Sequence, residues 1–378
     1  MPPRGAAEVR LEELDLPIPE ELIAQEPLEP RDACRLMRLT ADGRREHRIF
    51  RELPEILRPG DTLVFNDSKV LPARIEARRA TGGKVELLFL RPVAVQGSAA
   101  DCWEALARPS HRLKPGEEIA LESGDALVLV EPRGEGIWLV AAAGGGPLLP
   151  LMERHGRLPL PPYIKKYPDD PSTYQTVYAA APGSAAAPTA GLHFTPALQE
   201  RLREVGVEAA YVTLHVGLDT FQPIREDRVE DHRIHREAFS VTAEALRSLR
   251  AARAEGGRLV AVGTTATRVL ETLAGLGVLD DAGQSPEEGA DEVAAVAASP
   301  DGGLAGSTQI YITPGYEFRA VDVLLTNFHL PRSTVLALTV AFVGVERLRA
   351  AYADAVAMRY RFFSFGDAML AEGRDAHV

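Results

Sequence analysis

The chain has 378 residues, 46% of them hydrophobic and 25% charged, a composition that predicts a folded protein of one large or two smaller domains and excludes a disordered one. Its net charge of −12 argues against binding nucleic acid through overall charge alone. Cys34 and Cys102 have no companions at metal-ligand or disulfide spacing, which predicts a reducing compartment, no metal site and no disulfide framework.

The first predicted domain is β-rich and covers residues 66–150. Short apolar or alternating runs, separated by Gly and Pro, occur at 62–66, 84–90, 102–107, 126–130 and 136–140. Strands of this length and spacing favour a small barrel or sandwich. We therefore predict an inserted, barrel-like β domain, followed by a stiff proline-rich connection at 158–162.

The remainder, 1–65 and 151–378, predicts a larger mixed α/β domain with a partly parallel sheet. Thr195 and Pro196 are typical of a helix N-cap and first turn, and Ser333 is a second candidate cap. Helices are predicted at 196–202, 243–255, from 264 onward, at 333–342 and at 346–362, and strands at 207–216, 259–263, 309–313 and 321–326. The acidic residues 280–303, which include no Lys or Arg, predict a flexible insertion.

No segment predicts a signal peptide or a membrane span. The longest uncharged apolar run, 333–345, is shorter than the roughly 20 residues that cross a bilayer. We therefore expect a cytoplasmic protein with no membrane partner.

Three histidines, His193, His215 and His329, lie where predicted strands give way to loops containing Gly or Pro. Imidazole titrates near neutral pH, at about 6.5, so these side chains are candidates for proton transfer. No second metal ligand stands at close spacing to them. A buried, backbone-bonded role is an equally good interpretation of any one histidine, but a poorer one of all three together.

A predicted strand-to-helix junction at 262–265 offers a second candidate site. Gly263, Thr264 and Thr265 would leave free backbone N–H groups at the positive end of a helix, where a phosphate or carboxylate binds. Arg268, one turn further, could add a bidentate carboxylate contact. A plain junction with a Thr cap explains the pattern about as well.

Polar and aromatic residues suggest further substrate contacts. Asn66, Asp67 and Lys69 cluster at a predicted strand end, where a turn with Asx capping is the alternative. Tyr163 and Tyr174, the latter followed by Gln175, could stack on a base or serve only in packing.

Basic clusters interrupt the acidic chain and suit a polyanion bound in one place, although solvated surface charge is an equal alternative. The candidates for such contacts are Arg44, Arg45, Arg48, Arg112, Lys114, Lys165 and Lys166.

Nine motifs occur in a fixed order between residues 10 and 370. They are LIAQEPLEPRD (22–32), VFNDSKVLPAR (64–74), LPLPPYI (158–164), YQTVYA (174–179), APTAGLHFT (187–195), TLHVG (213–217), AVGTT (261–265), TNFHLP (326–331) and YRFFSFGDAM (360–369). In these motifs the chain resembles the S-adenosylmethionine:tRNA ribosyltransferase-isomerase family of queuosine biosynthesis. It departs from that family at Asp219, where Gly is usual.

The resemblance implies a mixed α/β domain with a barrel-like β domain, and an enzyme that uses S-adenosylmethionine as donor substrate without a prosthetic group. The ribosyl moiety would move onto 7-aminomethyl-7-deazaguanine at the tRNA wobble position, giving epoxyqueuosine-tRNA with release of adenine and methionine. The partner would be the tRNA anticodon stem-loop, and we expect a monomer. The rival classes are a noncatalytic RNA-binding module and a metal-free hydrolase or lyase, although the chain has no Gly-x-Ser-x-Gly motif.

Such a reaction needs a base for the carbon next to the sulfonium and an acid for the departing adenine. We expect His193 and His215 to be that pair, His329 to orient substrate, and Asp322 or Asp67 to hold a histidine tautomer. The methionine carboxylate is expected on Thr264, Thr265 and Arg268, and the sulfonium on Phe194 or Tyr311. Further substrate contacts are expected from Thr189, Gly191, Gly263, Asn327, Asn66, Lys69, Tyr163, Tyr174 and Gln175.

Overall fold

Two compact units make up the chain in the computed structural model, which describes residues 10–93, 101–217, 224–280, 289–290 and 294–373. The first, here called the sheet unit, comprises Met1–Ser68, Pro162–Ala181 and Pro188–Val378. The second, the barrel unit, comprises Lys69–Pro161 and Pro182–Ala187.

The bounds of the elements follow in chain order. The strands are β1 (Arg35–Leu39), β2 (Arg45–Ile49), β3 (Thr62–Asn66), β4 (Ser68–Val70), β5 (Arg74–Arg79), β6 (Lys84–Val93), β7 (Cys102–Arg108), β8 (Glu117–Ala120), β9 (Ala126–Gly134), β10 (Ile137–Ala142), β11 (Ala181–Ser184), β12 (Glu208–Leu214), β13 (Glu237–Val241), β14 (Leu259–Val262), β15 (Gly289–Ala290), β16 (Ala294–Ala298), β17 (Leu304–Thr308), β18 (Val323–Asn327) and β19 (Ala368–Glu372). The α-helices are α1 (Leu53–Ile56), α2 (Leu149–His155), α3 (Pro196–Glu204), α4 (Ala243–Ala254), α5 (Gly263–Gly275), α6 (Thr334–Val343) and α7 (Val345–Ala357). A 3₁₀ helix, Thr189–His193, precedes α3.

The sheet unit is built on a mixed sheet with 11 strands among the described residues, in the order β15-β16-β17-β13-β12-β3-β14-β18-β19-β1-β2. Strands β12, β3, β14 and β18 run parallel, so they all end at one edge, here called the carboxyl edge. Strand β19 is antiparallel to β18 and parallel to β1, so β19 and β1 both begin at the carboxyl edge.

The central parallel strands are buried on both faces. Every residue of β3, β14 and β18 is buried, which is typical of strands covered by helices on both sides. The helices begin where capping residues are available: the hydroxyls of Thr195 and Ser333 accept from the N–H groups of Leu198 and Leu336. Both predicted caps are confirmed.

The barrel unit contains a closed antiparallel barrel with the strand order β10-β7-β6-β5-β8-β9. Its strands alternate inward and outward residues; on β5, for example, Ile75 and Ala77 are buried and Glu76 is exposed. The predicted fold class, a mixed α/β domain with an inserted barrel-like β domain, is confirmed.

Three local predictions are wrong. Residues 309–313 are not a strand, because the Thr308 hydroxyl accepts from the N–H of Ile310 at 3.2 Å and the chain leaves the sheet there. Residues 294–303 are not a flexible insertion, since Ala294 and Val296 are buried on β16, which pairs with β17. The last helix, α7, ends at Ala357 and not at 362. Residues 281–288 and 291–293 lie outside the described residues.

None of the described helices is long and apolar enough to cross a membrane.

Candidate active site

The carboxyl edge gathers several of the predicted site residues. Asn66 ends β3 and Asn327 ends β18, while His215 and Gly263 directly follow β12 and β14. Cys34 precedes β1, which begins at the same edge. Side chains at this edge of a parallel sheet face the crevice where α/β proteins place their ligands.

His193 is held over the carboxyl edge by the 3₁₀ helix and is only 4% exposed. Its Nε2 lies 3.1 Å from Asn327 Nδ2, and its Nδ1 lies 3.2 Å from Cys34 Sγ. The ring packs on Phe50 with a centroid distance of 5.0 Å. Both ring nitrogens therefore have a partner on a neighbouring element.

The neighbours of Asn327 determine the tautomer of His193. Its Oδ1 accepts from the Thr189 hydroxyl at 3.0 Å, and its Nδ2 also donates to the Phe363 carbonyl at 3.2 Å. Because this orientation presents Nδ2 to the ring, Nε2 of His193 accepts and Nδ1 carries the proton. The Nδ1–H then donates to the sulfur of Cys34.

Burial lowers the pKa of His193 to about 3, and the charges of Arg31 and Arg361 act in the same direction. Burial also raises the pKa of the Cys34 thiol well above its usual value, with Asp367 adding to the effect. Although Cys34, His193 and Asn327 are arranged like a nucleophilic triad, the thiol is protonated and the imidazole is neutral. This group therefore serves as a neutral hydrogen-bonding unit.

A crevice of about 10 Å³ opens beside His193, lined in part by Arg31, Ser364 and Gly366. The Arg31 guanidinium donates to the carbonyls of Gln175 at 2.8 Å and Ser172 at 3.3 Å. The hydroxyls of Tyr163 and Ser364 lie 2.7 Å apart, which brings Tyr163 to the same crevice. Tyr174, also nearby in sequence, is fully buried edge-on against Phe365 and acts in packing.

His215 forms a second centre with Asp67. Its Nδ1 has no hydrogen-bond partner among the residues that the structure describes. Burial lowers the pKa of His215, and the Asp67 charge opposes that shift. Burial raises the pKa of Asp67, although the Thr213 hydroxyl donates to its Oδ1 at 2.6 Å and acts in the opposite direction. Burial thus shifts both groups towards their neutral forms, while the charge of Asp67 favours the protonated form of His215.

Aromatic rings connect the two centres within the sheet unit. Phe194 packs edge-on against Phe50 at 5.1 Å and against Phe65 at 4.8 Å, and Phe65 contacts Tyr178 at 4.7 Å. Phe194, which was predicted to contact the sulfonium, is fully buried in this cluster and packs against other rings of the core. A Cβ at Gly191 would lie 1.9 Å from the Tyr178 hydroxyl, which explains the glycine in this motif.

The start of α5 lies at the carboxyl edge, as predicted from the junction 262–265. Gly263 has φ +87°, a conformation that L side chains rarely adopt. Arg268 is buried, but it is not free for a bidentate ligand: Nη1 pairs with Glu237 Oε2, and Nε donates to the Ile310 carbonyl at 3.2 Å. Thr264 and Thr265 line the same small cavity as Arg268.

Three predicted site residues have structural partners instead. His329 Nε2 lies 2.7 Å from the Thr326 hydroxyl, and burial lowers the pKa of His329 to about 4. Asn66 bridges two strands, since its Nδ2 donates to the Leu214 carbonyl at 3.0 Å and its Oδ1 accepts from the Leu214 N–H at 3.0 Å. Asp322 precedes β18, so it lies at the opposite edge of the sheet, where it accepts from the Leu259 N–H at 2.8 Å and holds none of the three histidines.

All five predicted tRNA-binding side chains in the sheet unit are paired with acids. Arg44, Arg45 and Arg48, here called the hairpin arginines, lie on or beside β2 and contact Asp42, Asp354 and Glu52, respectively. Lys165 and Lys166 contact Glu20 and Glu26. In the barrel unit, Arg112 and Lys114 are exposed, as is Lys69 on β4.

Sequence reasoning missed two members of the site, Cys34 and Glu237. Cys34 belongs to no recognisable spacing, and only the placement of β1 beside β19 brings it to His193. Glu237 lies within a run of alternating charges that is typical of an exposed surface. Only the structure shows that its side chain is buried. No group of three metal-ligating side chains occurs within the described ranges.

The fold and the carboxyl edge are those of an α/β enzyme that carries acid–base groups at its strand ends. Residues 11–371 match the family model described as queuosine biosynthesis protein. The S-adenosylmethionine:tRNA ribosyltransferase-isomerase of Rubrobacter xylanophilus is 50% identical over 366 residues, covering 97% of this chain and 98% of that protein. The protein of the same name from Anaeromyxobacter sp. strain Fw109-5 is 50% identical over 365 residues, covering 96% and 99%.

A solved structure agrees. The S-adenosylmethionine tRNA ribosyltransferase of Thermotoga maritima matches with a TM-score of 0.51 and 38% identity, covering 95% of this chain and 99% of that chain. This chain belongs to the S-adenosylmethionine:tRNA ribosyltransferase-isomerase family of queuosine biosynthesis proteins. The family predicted from the motifs is confirmed.

Proposed function

We propose that the protein transfers and isomerises the ribosyl moiety of S-adenosylmethionine onto 7-aminomethyl-7-deazaguanine at the tRNA wobble position. The products are epoxyqueuosine-tRNA, adenine and methionine. The observation that carries the proposal is the 50% identity, over 97% of this chain, with an enzyme whose name specifies an S-adenosylmethionine donor and a tRNA acceptor. A tRNA substrate also implies a cytoplasmic reaction, and we expect a monomer.

The bonds that change define what the site must supply. A C–N bond forms between the aminomethyl nitrogen and the ribosyl moiety, and a C–C bond between C1′ and C5′ closes a cyclopentane ring. The glycosidic bond to adenine, the C5′–sulfur bond and one bond of the ribosyl ring oxygen break. The electron pair of the C5′–sulfur bond stays on sulfur as the sulfonium becomes the thioether of methionine, and a ribosyl oxygen closes the epoxide. A base must take the acidic proton next to the sulfonium, and an acid must protonate the departing adenine.

His215 and Asp67 are the best candidates for this acid–base work. The Asp67 charge raises the pKa of His215 against the effect of burial, and Nδ1 of His215 has no hydrogen-bond partner within the described part of the chain. His193 is a weaker base, because burial lowers its pKa to about 3 and both of its nitrogens are engaged. We therefore assign proton transfer to the His215–Asp67 pair and a neutral, orienting role to His193 with Asn327 and Thr189.

The tRNA contacts are assigned by charge. The hairpin arginines, together with Lys165 and Lys166 in the sheet unit and Arg112 and Lys114 in the barrel unit, supply cations for the anticodon stem-loop. The neighbouring carboxylates weaken the attraction of these cations for polyanions in general. When tRNA binds, its phosphates take the place of these carboxylates. Tyr163 and Arg31, beside the His193 crevice, are candidates to contact the modified base.

The decisive assay incubates the protein with S-adenosylmethionine and tRNA carrying 7-aminomethyl-7-deazaguanine, and measures free adenine by chromatography. The same tRNA with guanine at the wobble position is the substrate control. Adenine release that requires the modified base supports the proposal, whereas no release from either tRNA would overturn it.

The role of His215 has a matched control within the chain. His215→Asn is expected to slow adenine release by about 100-fold to 10,000-fold, the usual effect of losing a general base. His155 also faces a carboxylate, Asp125, at 2.9 Å, but lies in the barrel unit, which carries neither His215 nor Asp67, so His155→Asn should leave the rate unchanged. Equal rates in the two variants would remove His215 from the mechanism.

A further inference from the structure

A buried ion pair lies beside the start of α5. Arg268 is 8% exposed and Glu237 7%, and Arg268 Nη1 contacts Glu237 Oε2. The other carboxylate oxygen, Oε1, accepts from the Gly217 N–H at 2.7 Å. Removing two charges from water costs free energy that their attraction often fails to offset. Stability alone therefore does not explain such a buried pair.

Two polar atoms at this pair have no protein partner. Arg268 Nη2 and Thr265 Oγ1 are buried, and neither has a hydrogen-bond partner in the described ranges. Native proteins leave few buried donors unsatisfied, so two at one place indicate a ligand. Helix α5, 13 residues long, adds the positive end of its dipole at the same point. Both observations favour a negatively charged ligand group.

The cavity that these atoms line is small and mostly apolar. Its free volume is about 30 Å³, enough for a carboxylate-sized group. Its apolar wall includes the aliphatic side chains of Ile310, Ile312, Val335 and Leu338. The cavity thus combines a cation, a carboxylate and an apolar wall, which are the complements of an α-amino acid with an aliphatic side chain.

We propose that this cavity binds the amino-acid end of the sulfonium donor. Arg268 Nη2 and the Thr265 hydroxyl donate to the α-carboxylate, and Glu237 accepts from the α-ammonium group. The donor's identity rests on the proposed function, but the recognition of an amino-acid group rests on these contacts. A zwitterion preserves the charge balance of the pair, so binding leaves no buried charge uncompensated.

The location fits the reaction. Glu237 holds Gly217 through its side chain, and the next residue, Ala238, accepts from the His215 N–H at 2.9 Å. The amino-acid subsite is therefore built on the segment that carries the proposed base. A donor anchored there by its methionine end has its sulfonium only three bonds from the α-carbon, so its reacting carbon stays close to this segment.

The test compares two neutral thioethers that differ only in the group on sulfur, which is the amino-acid chain in one and methyl in the other. S-adenosylhomocysteine and 5′-methylthioadenosine are titrated calorimetrically into the full-length protein and into Thr265→Val, Glu237→Gln and Arg268→Gln. Wild type should prefer S-adenosylhomocysteine by about tenfold or more, since charge-assisted hydrogen bonds are worth that much each. Each variant should lose most of this preference while its affinity for 5′-methylthioadenosine stays the same.

Arg258→Gln is the matched control, because Arg258 also pairs with a buried carboxylate, Asp61, but at the opposite edge of the sheet. It should keep the wild-type preference. An unchanged preference in the three cavity variants would overturn the proposal, and Thr265→Val and Glu237→Gln decide the matter if Arg268→Gln fails to fold. The readout is binding, so it is independent of adenine release: a protein that selects the amino-acid end but releases no adenine would refute the proposed reaction and retain the subsite.

Discussion

The pH dependence of stability gives a sharp test of the His193 environment. In the unfolded chain this imidazole binds a proton near its usual pKa of 6.5, whereas burial lowers the folded-state pKa to about 3. The unfolded state therefore binds more protons between these values. The contribution of neutral His193 to stability is therefore fully present above pH 6.5, and it is lost as the pH drops from about 6.5 towards 3.

The magnitude follows from the size of the shift. A shift in the pKa of His193 from 6.5 to about 3 corresponds to a full contribution of about 5 kcal/mol to the free energy of unfolding. Between pH 7 and pH 5 the linkage relation gives a loss of about 2 kcal/mol from this single group. His329, with a pKa lowered to about 4, adds a similar loss in the same interval. Asn does not titrate, so His193→Asn should remove the first contribution and leave the second.

The assay is urea unfolding of the wild type and His193→Asn at both pH values. The variant should be less stable at pH 7, because Asn327 and Cys34 lose a partner, yet its further loss on going to pH 5 should be smaller than the wild-type loss by about 2 kcal/mol. His111→Asn, at an exposed position, serves as the control and should follow the wild type. If His193→Asn and the wild type lose equal stability between the two pH values, the imidazole is not buried in neutral form.

Three other outcomes are expected. Replacing the hairpin arginines together by Gln should weaken tRNA binding and reduce the slope of log affinity against log salt by up to about 2.7, or about 0.9 per phosphate contact; an unchanged slope would make them ordinary surface charges. Gly191→Ala should lower the free energy of unfolding in urea by about 1–3 kcal/mol, because the new Cβ would meet the Tyr178 hydroxyl. Gly275→Ala, with open space around it, should cost nothing. Equal effects would contradict the close approach of Gly191 to Tyr178. Glu271→Gln should lower the free energy of unfolding by about 1–3 kcal/mol, since this fully buried carboxylate accepts from Tyr316 and from three backbone N–H groups. A stability equal to wild type would show those hydrogen bonds to be dispensable.

Local signals in the sequence predicted local structure well. Thr195 and Ser333 carry hydroxyls that can reach the N–H groups three residues on, and both helices begin there. The apolar runs at 259–263 and 321–326 predicted strands, and the buried, parallel strands β14 and β18 lie there. The placement of His215 at a strand end followed from the same periodicity.

Long-range pairing could not be predicted in the same way. The neighbour of β1 is β19, more than 300 residues later, and that pairing brings Cys34 to His193 and Asp367 to Arg35. The alternation at 309–313 was predicted to be a strand, but Ile310 and Ile312 are apolar because they line the cavity beside Arg268. Periodicity identifies which side chains are buried, but not which surface buries them.

The position of β19 has a consequence for biosynthesis. This strand, Ala368–Glu372, lies between β18 and β1, so the hairpin of β1 and β2 has no other neighbour in the sheet until the ribosome has passed residue 372. A nascent chain that stops before β19 therefore cannot fix Cys34 beside His193 through the sheet.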